Sequence, residues 1–255
     1  MAGSLFVEAL QHGVRALTLS NPEKRNAIDA NILDALEATL RDSAGVTAWL
    51  VRSDSEAVFS AGYDLTALSG FPEGTPLPDE RLGAVLDQLS AHPAPSVALV
   101  RGAAVGAGCE LAVACDFRIG IAHTRFTMPP AKLGVVYALK GMARLRSRIG
   151  PQLARRMFLL GQPVEADEAL RAGLLDVIVP EAVAGAEAGQ WCEQLATQLA
   201  PLAVRGMKRG LALLDAGVTS DARYEVLRRA SFNSDDAREG RDALLERRAP
   251  KFSGK

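Results

Sequence analysis

Hydrophobic and polar positions along the chain switch between two periods. Phe6–Leu10 and Val14–Leu19 are short strand-like runs on either side of Gln11-His12-Gly13, which predicts a hairpin. Asn21–Asn26 is a polar loop containing Pro22. Ile32, Leu33, Leu36 and Leu40 then recur at helical spacing behind Asp29, a residue suited to cap that helix. Thr47–Val51 reads as a buried strand, Glu80–Leu89 as a helix, and Ser96–Val100 as a strand entered through Pro93 and Pro95. A short helix over Cys109–Ala114 and a strand over Phe117–Ile121 follow. Ser69–Asp79 holds two glycines and three prolines without apolar periodicity, so it reads as a mobile loop or lid edge. This alternation predicts an α/β core with crossover connections.

From about Pro151 the pattern turns mainly helical. Arg155–Leu160 is one helix, and Glu165–Ala172 is another, ended by Gly173. A short strand, Asp176–Val179, stops at Pro180. Ala186–Leu199 and Leu202–Asp215 are longer helices; Thr219 or Asp221 caps the next, and Ser234 or Asp235 the last. The polar tail Pro250–Lys255 can be ordered only by docking.

Composition narrows the function classes. At 255 residues and 48% hydrophobic content, the chain suits one large domain or a domain with an appendage. Lys plus Arg is 29 and Asp plus Glu is 30, a formal net charge of -1, which does not favour nucleic acid as a partner. The basic clusters Arg144–Arg156 and Arg247-Arg248 read as solvated helix faces. Cys109, Cys115 and Cys192 lack metal-finger spacing, and their odd number argues against a disulfide framework. They read as reduced thiols, Cys109 as a small core residue and not a nucleophile. Neither a signal peptide nor a membrane span is expected, so a soluble, cytoplasmic protein is.

Two glycine-bearing segments carry the candidate chemistry: Phe59-Ser-Ala-Gly-Tyr-Asp-Leu65 and Gly102-Ala-Ala-Val-Gly-Ala-Gly-Cys-Glu-Leu111. Alone, either reads as tight packing of strand against helix. Brought together, their main-chain N–H groups can hold one oxygen between two donors, the geometry that stabilises a thioester enolate. The Gly-x₃-Gly-x-Gly spacing of 102–108 does not match a dinucleotide fingerprint.

Six pieces in order resemble the crotonase superfamily, the enoyl-CoA hydratase/isomerase family. They are Asn21–Ala27, Ser60–Leu65, Gly102–Asp116, Phe126–Gly134, Ala169–Pro180 and Glu239-Gly240 with Glu246-Arg247-Arg248. The resemblance implies a crotonase-like α/β spiral of ββα units over residues 1–195 and a helical C-terminal region over 196–255 that mediates trimerisation. It implies an acyl-CoA thioester as substrate, no cofactor beyond the coenzyme A that the substrate carries, no metal, and a homotrimer or a hexamer of two trimers. By position, the two oxyanion donors are the N–H groups of Tyr63 and Ala107. Glu23, Lys24, Arg25 and Ala27, with Ala61, Gly62, Asp64 and Leu65, would meet the coenzyme. Gly106, Pro129 and Pro130 would also contact the substrate. Leu244 and Arg247 match positions that touch the nucleotide, often across a subunit boundary. The Tyr63 side chain either lines the acyl pocket or covers its rim.

The resemblance also separates chemistries. Hydratases of this family use two glutamates on one water. Glu110 matches the first, as a catalytic or pocket-polarising group; its plainer reading is a helix-start carboxylate on the dipole. The second position is Pro130, which offers neither proton nor lone pair and departs from the hydratase and isomerase patterns. Tyr137 within Leu133–Gly141, Phe126-Thr-Met-Pro-Pro130 and Ser234–Gly240 look like the methylmalonyl-CoA decarboxylase branch, where Tyr137 would orient the leaving carboxylate. That branch carries a histidine where this chain has Tyr63. The plainer reading of Tyr137 is a buried aromatic with a satisfied hydroxyl. A lyase or isomerase working through an enolate, a decarboxylase and a non-catalytic acyl-CoA binder all stay open here.

Overall fold

The computed structural model describes residues 2–65, 72 and 74–255. Strands β1 (Ser4–Ala9) and β2 (Val14–Ser20) form the expected antiparallel hairpin, with Ser4 opposite Ser20 and Ala9 opposite Arg15. Helix α1 (Ala30–Arg41) starts where the pattern placed it: the Asp29 carboxylate accepts the Ile32 N–H at 3.0 Å. The face it buries carries Ile32, Leu33, Leu36 and Leu40.

Three strand–strand–helix turns follow. The first is β3 (Ala48–Ser53), β4 (Val58–Ser60) and α2 (Pro78–Ala91). The second is β5 (Ser96–Val100), β6 (Ala103–Val105) and α3 (Ala107–Ala114). The third is β7 (Phe117–Gly120), β8 (Arg125–Thr127) and α4 (Leu139–Leu160). Each turn adds one parallel strand to each of two sheets. With β9 (Val164–Glu165) and β10 (Val177–Ile178) the sheets read β1-β2-β3-β5-β7-β10 and β4-β6-β8-β9. A short helix, α5 (Ala166–Arg171), lies between β9 and β10.

The inner strands β2, β3 and β5 of the large sheet are largely buried on both faces, as parallel strands under helices usually are, whereas β1 at its edge is exposed. Period-two alternation divides its residues cleanly. Leu17, Leu19, Trp49, Val51, Ala98 and Val100 join the core under α1 to α4. Val14, Ala16, Ala48, Leu50, Val97 and Leu99 face the other way, under Ala184, Ala188 and Cys192 of α6 (Ala184–Thr197). All three cysteines are buried and free, and burial pushes the Cys192 thiol up to about 12.

Helices α7 (Pro201–Asp215), α8 (Ala222–Phe232) and α9 (Asp235–Glu246) complete the chain. Lys208 on α7 is held by Asp116 at 2.7 Å and by the Ala94 carbonyl at 3.2 Å. Asp221 caps α8 through the Tyr224 N–H at 2.6 Å, and Ser234 caps α9 through the Ala237 N–H at 3.0 Å. No residue of α7 or α8 is buried, and Met207, Leu211, Leu214, Val226 and Phe232 are exposed. The tail is ordered by docking: buried Asp236 accepts the N–H groups of Ser253 at 2.6 Å and Gly254 at 2.9 Å.

Three expectations change. Helix α4 begins at Leu139, well before Pro151, and kinks at Gly150 (φ 74°, ψ 170°). Gly-Pro reads as a stop, yet proline is tolerated in the first turn of the resumed helix. The second sheet was not foreseen, because strands of three residues are too short to show a period. Of the Ser69–Asp79 segment, Ser69–Phe71 and Glu73 lie outside the described residues, and Pro78 and Asp79 belong to α2.

Gly102 has φ +64°, and a Cβ there would lie 1.8 Å from the Ala57 carbonyl oxygen. Gly102→Ala should cost roughly 3 kcal/mol or more, read as a lower urea midpoint. Asp236→Ala should free the tail: amides 250–255 lose hydrogen-exchange protection while the core strands keep theirs.

Candidate active site

Two strand ends place the glycine segments against each other. β4 runs into Ala61-Gly62-Tyr63, and Tyr63 pairs with Ile28 as an isolated parallel bridge. The Ile28 N–H donates to the Gly62 carbonyl at 2.7 Å, and the Asp64 N–H to the Ile28 carbonyl at 3.1 Å. In such a parallel bridge the N–H of Tyr63 itself points away from Ile28. β6 runs into Gly106 (φ 51°, ψ −116°), and Ala107 is the first residue of α3. A Cβ on Gly62 would come 2.8 Å from the Val105 carbonyl oxygen and 3.7 Å from the Ala107 nitrogen, and one on Gly108 would come 2.5 Å from the Ser60 Cβ. Only residues without side chains fit here. Among the described residues neither the Tyr63 nor the Ala107 N–H has an acceptor.

Both residues face one cavity of about 340 Å³. Ala61, Gly62, Tyr63 and Leu65 form one wall, and Val105, Gly106 and Ala107 the floor beside it. Leu77, Pro78, Asp79 and Leu82 come from α2 and its approach. Pro129, Pro130, Leu133, Val135, Val136 and Tyr137 come from the chain between β8 and α4. The lining is largely apolar. Among the described residues it includes no Lys, Arg or His, and its one charged side chain is Asp79, whose Oδ2 accepts the Ala138 N–H at 2.9 Å.

Glu110 lies one turn into α3, only 3% exposed, and does not line the cavity. It sits behind Tyr137, which does. The Tyr137 hydroxyl donates to Glu110 Oε2, and Arg144 Nη1 donates to Oε1. Arg144 Nη2 reaches Asp87 Oδ1 at 2.6 Å, and Lys140 Nζ reaches Asp87 Oδ2 at 2.9 Å. Burial pushes the Glu110 carboxyl above its ordinary range, opposed by Tyr137 and Arg144. Burial and then the Glu110 charge drive the Tyr137 phenol far up, so it stays protonated. Burial also raises the Cys109 thiol, which suits its reading as a core residue.

The remaining site residues fall in two places. Glu23, Lys24, Arg25 and Ala27 do not line the cavity, but their loop runs along the first glycine segment. The Ala61 N–H donates to the Arg25 carbonyl at 2.9 Å, and Lys24 Nζ meets Asp64 Oδ2 at 2.6 Å. Leu244 and Arg247, at the end of α9, are exposed and line no part of the cavity. Sequence reading missed Arg144, expected on a solvated face; its side chain is 12% exposed. It also missed Asp79, Asp87 and the Val105, Leu77 and Leu82 walls. The i, i+4 spacing of Gly141, Leu145 and Ile149, all buried on α4, was the available signal for the helix that carries Arg144.

Similarity to known proteins agrees with this architecture. The Enoyl-CoA hydratase/isomerase family matches residues 9–255. The carnitinyl-CoA dehydratase of Salmonella typhi is 35% identical, covering 94% of this chain and 94% of the relative. A crystal structure of an enoyl-CoA hydratase/isomerase family member superposes with a TM-score of 0.89 at 27% identity, covering 99% of this chain and 97% of that one. Methylmalonyl-CoA decarboxylase complexed with 2S-carboxypropyl-CoA superposes with a TM-score of 0.76 at 27% identity, covering 98% of each chain. This chain therefore belongs to the enoyl-CoA hydratase/isomerase family and has the crotonase fold.

Proposed function

We propose that this protein is an acyl-CoA enzyme that stabilises a thioester enolate between the N–H groups of Tyr63 and Ala107. The observation that carries the reading is their shared cavity: Tyr63 and Ala107 both line one largely apolar space, and neither main-chain N–H has an acceptor among the described residues. As the α-carbon gains carbanion character, negative charge collects on the thioester oxygen. Donors already aimed at that oxygen stabilise it without reorganising, and the low-dielectric wall strengthens the interaction. The dipole of α3, whose first residue is Ala107, adds to the same potential.

The acyl group would run along Leu65, Leu77, Leu82, Leu133 and Val135. With no cation on the described wall and Asp79 on it, the cavity favours an uncharged acyl chain over one bearing a carboxylate. That weighs against decarboxylation of a malonyl-type thioester. Water addition, water removal or a proton shift next to the thioester remains, with Tyr137 as one polar side chain at hand and Pro130 contributing no second carboxylate. The coenzyme would lie along Glu23–Ala27 and Ala61–Leu65. The exposed apolar faces of α7 and α8 fit assembly into trimers or pairs of trimers, with Leu244 and Arg247 serving a neighbour's nucleotide. No cofactor beyond the coenzyme A of the substrate enters this reading.

A non-catalytic acyl-CoA binder is the second reading, favoured by the engagement of both Glu110 oxygens and by Pro130. Purified protein given crotonyl-CoA should remove the enoyl absorbance, and given methylmalonyl-CoA should release no CO₂. Binding of both thioesters without turnover of either establishes the binder instead; CO₂ release establishes the decarboxylase. Ala107→Pro removes one proposed donor at a helix position that tolerates proline. It should lower kcat about 10²–10³-fold while the far-ultraviolet spectrum stays that of the parent. An unchanged kcat overturns the oxyanion role.

A further inference from the structure

We propose that Arg144 is a positioning residue that pins Glu110 behind Tyr137, so that the Tyr137 phenol, and not the Glu110 carboxylate, is what an acyl group meets. The inference rests on the acyl-CoA reading above.

The geometry assigns each atom a task. Glu110 has two carboxylate oxygens, and each is engaged, Oε1 by Arg144 and Oε2 by Tyr137. The phenol proton therefore points at Glu110, and what Tyr137 offers the cavity is a lone pair. Such an oxygen suits a partner that donates, a water or an acyl hydroxyl, better than a carboxylate. The Arg144 fork is itself fixed from the other side, because its second nitrogen binds Asp87 on α2, and Lys140 on α4 holds the same carboxylate. The cluster is close-packed against Gly141, where a Cβ would lie 2.5 Å from the Tyr137 ring and 2.9 Å from both Glu110 oxygens.

The charges around Glu110 make Arg144 decisive. From α3 comes its neighbour Cys109, protonated by burial; from α2, Asp79, which disfavours ionisation; from the chain before α4, the Tyr137 hydroxyl; and from α4, Arg144. Asp87 and Lys140 stand beyond Arg144 and compensate each other. Among the described residues Arg144 is the cation paired with Glu110. A guanidinium spans two carboxylates in a plane, which an ammonium does not do equally well.

The test reads the phenol directly. The chain has three tyrosines, Tyr63, Tyr137 and Tyr224. With ¹³C at each Cζ, the resonance absent from Tyr137→Phe reports its hydrogen bond to Glu110. In the parent it should titrate with a midpoint above the ordinary glutamate value of about 4.3. Loss of the cation disfavours the carboxylate, so Arg144→Gln should move that midpoint to higher pH by about one unit or more, with Arg144→Lys in between. For turnover of an enoyl thioester, Arg144→Gln should move the acidic limb of the pH profile the same way. It should lower kcat at least tenfold while KM changes less than threefold. A Tyr137 resonance that does not titrate, or a midpoint unmoved in Arg144→Gln, overturns the pin even if thioesters are turned over. A midpoint that moves in a protein that binds no thioester supports the pin and removes the acyl-CoA reading instead. Should Arg144→Gln not fold, Arg144→Lys carries the same test through a smaller shift in the same direction.

Discussion

The close approach of two backbones, one leaving β4 and one entering α3, is the constraint on which this site depends. Gly62 lies against the Val105 carbonyl and the Ala107 nitrogen, and Gly108 lies against Ser60. A methyl group at either glycine would push the segments apart. The parallel pairing of β4 with β6 sets the direction of approach, and the bridge from Ile28 to Tyr63 sets the rotation of the first segment. Packing, register and hydrogen bonding therefore converge on one outcome: Tyr63 and Ala107 border the same apolar space, and neither N–H has an acceptor among the described residues.

Around that frame, Asp79, Tyr137 and Glu110 are each tied down by hydrogen bonds. Asp79 holds the Ala138 amide, which fixes the chain just after Tyr137. Glu110 is buried yet fully engaged, so its desolvation is met by a phenol and a guanidinium. The chain from Tyr137 through Glu110 and Arg144 to Asp87 links α2, α3 and α4 in one network, and a network of this kind is rigid because every member is satisfied.

Much of this was legible in the residues themselves. The caps at Asp29, Asp221 and Ser234 could be read because a short polar side chain before an apolar period has one favourable use. The large sheet was legible because its strands are long enough to alternate. What escaped was either too short or too distant in sequence. β4, β6 and β8 have three residues each, and their pairing is set by the turns around them. Arg144 looked like one basic residue among several, and only the fold reveals that a buried carboxylate 34 positions earlier claims it. The glycine segments were found by composition, and their mutual contact is a tertiary fact.

The main-chain character of the amides at Tyr63 and Ala107 bears on how such a scaffold can change over time. A peptide N–H persists through nearly any substitution of the residue that carries it, proline aside. Drift at positions 63 and 107 would therefore leave the donors in place, whereas drift at the neighbouring glycines would not. Walls built from Leu77, Leu133 or Tyr137 are free to be exchanged without dismantling this pair of amides. An architecture of this type can reshape its cavity one wall at a time, with that pair of amides inherited unchanged.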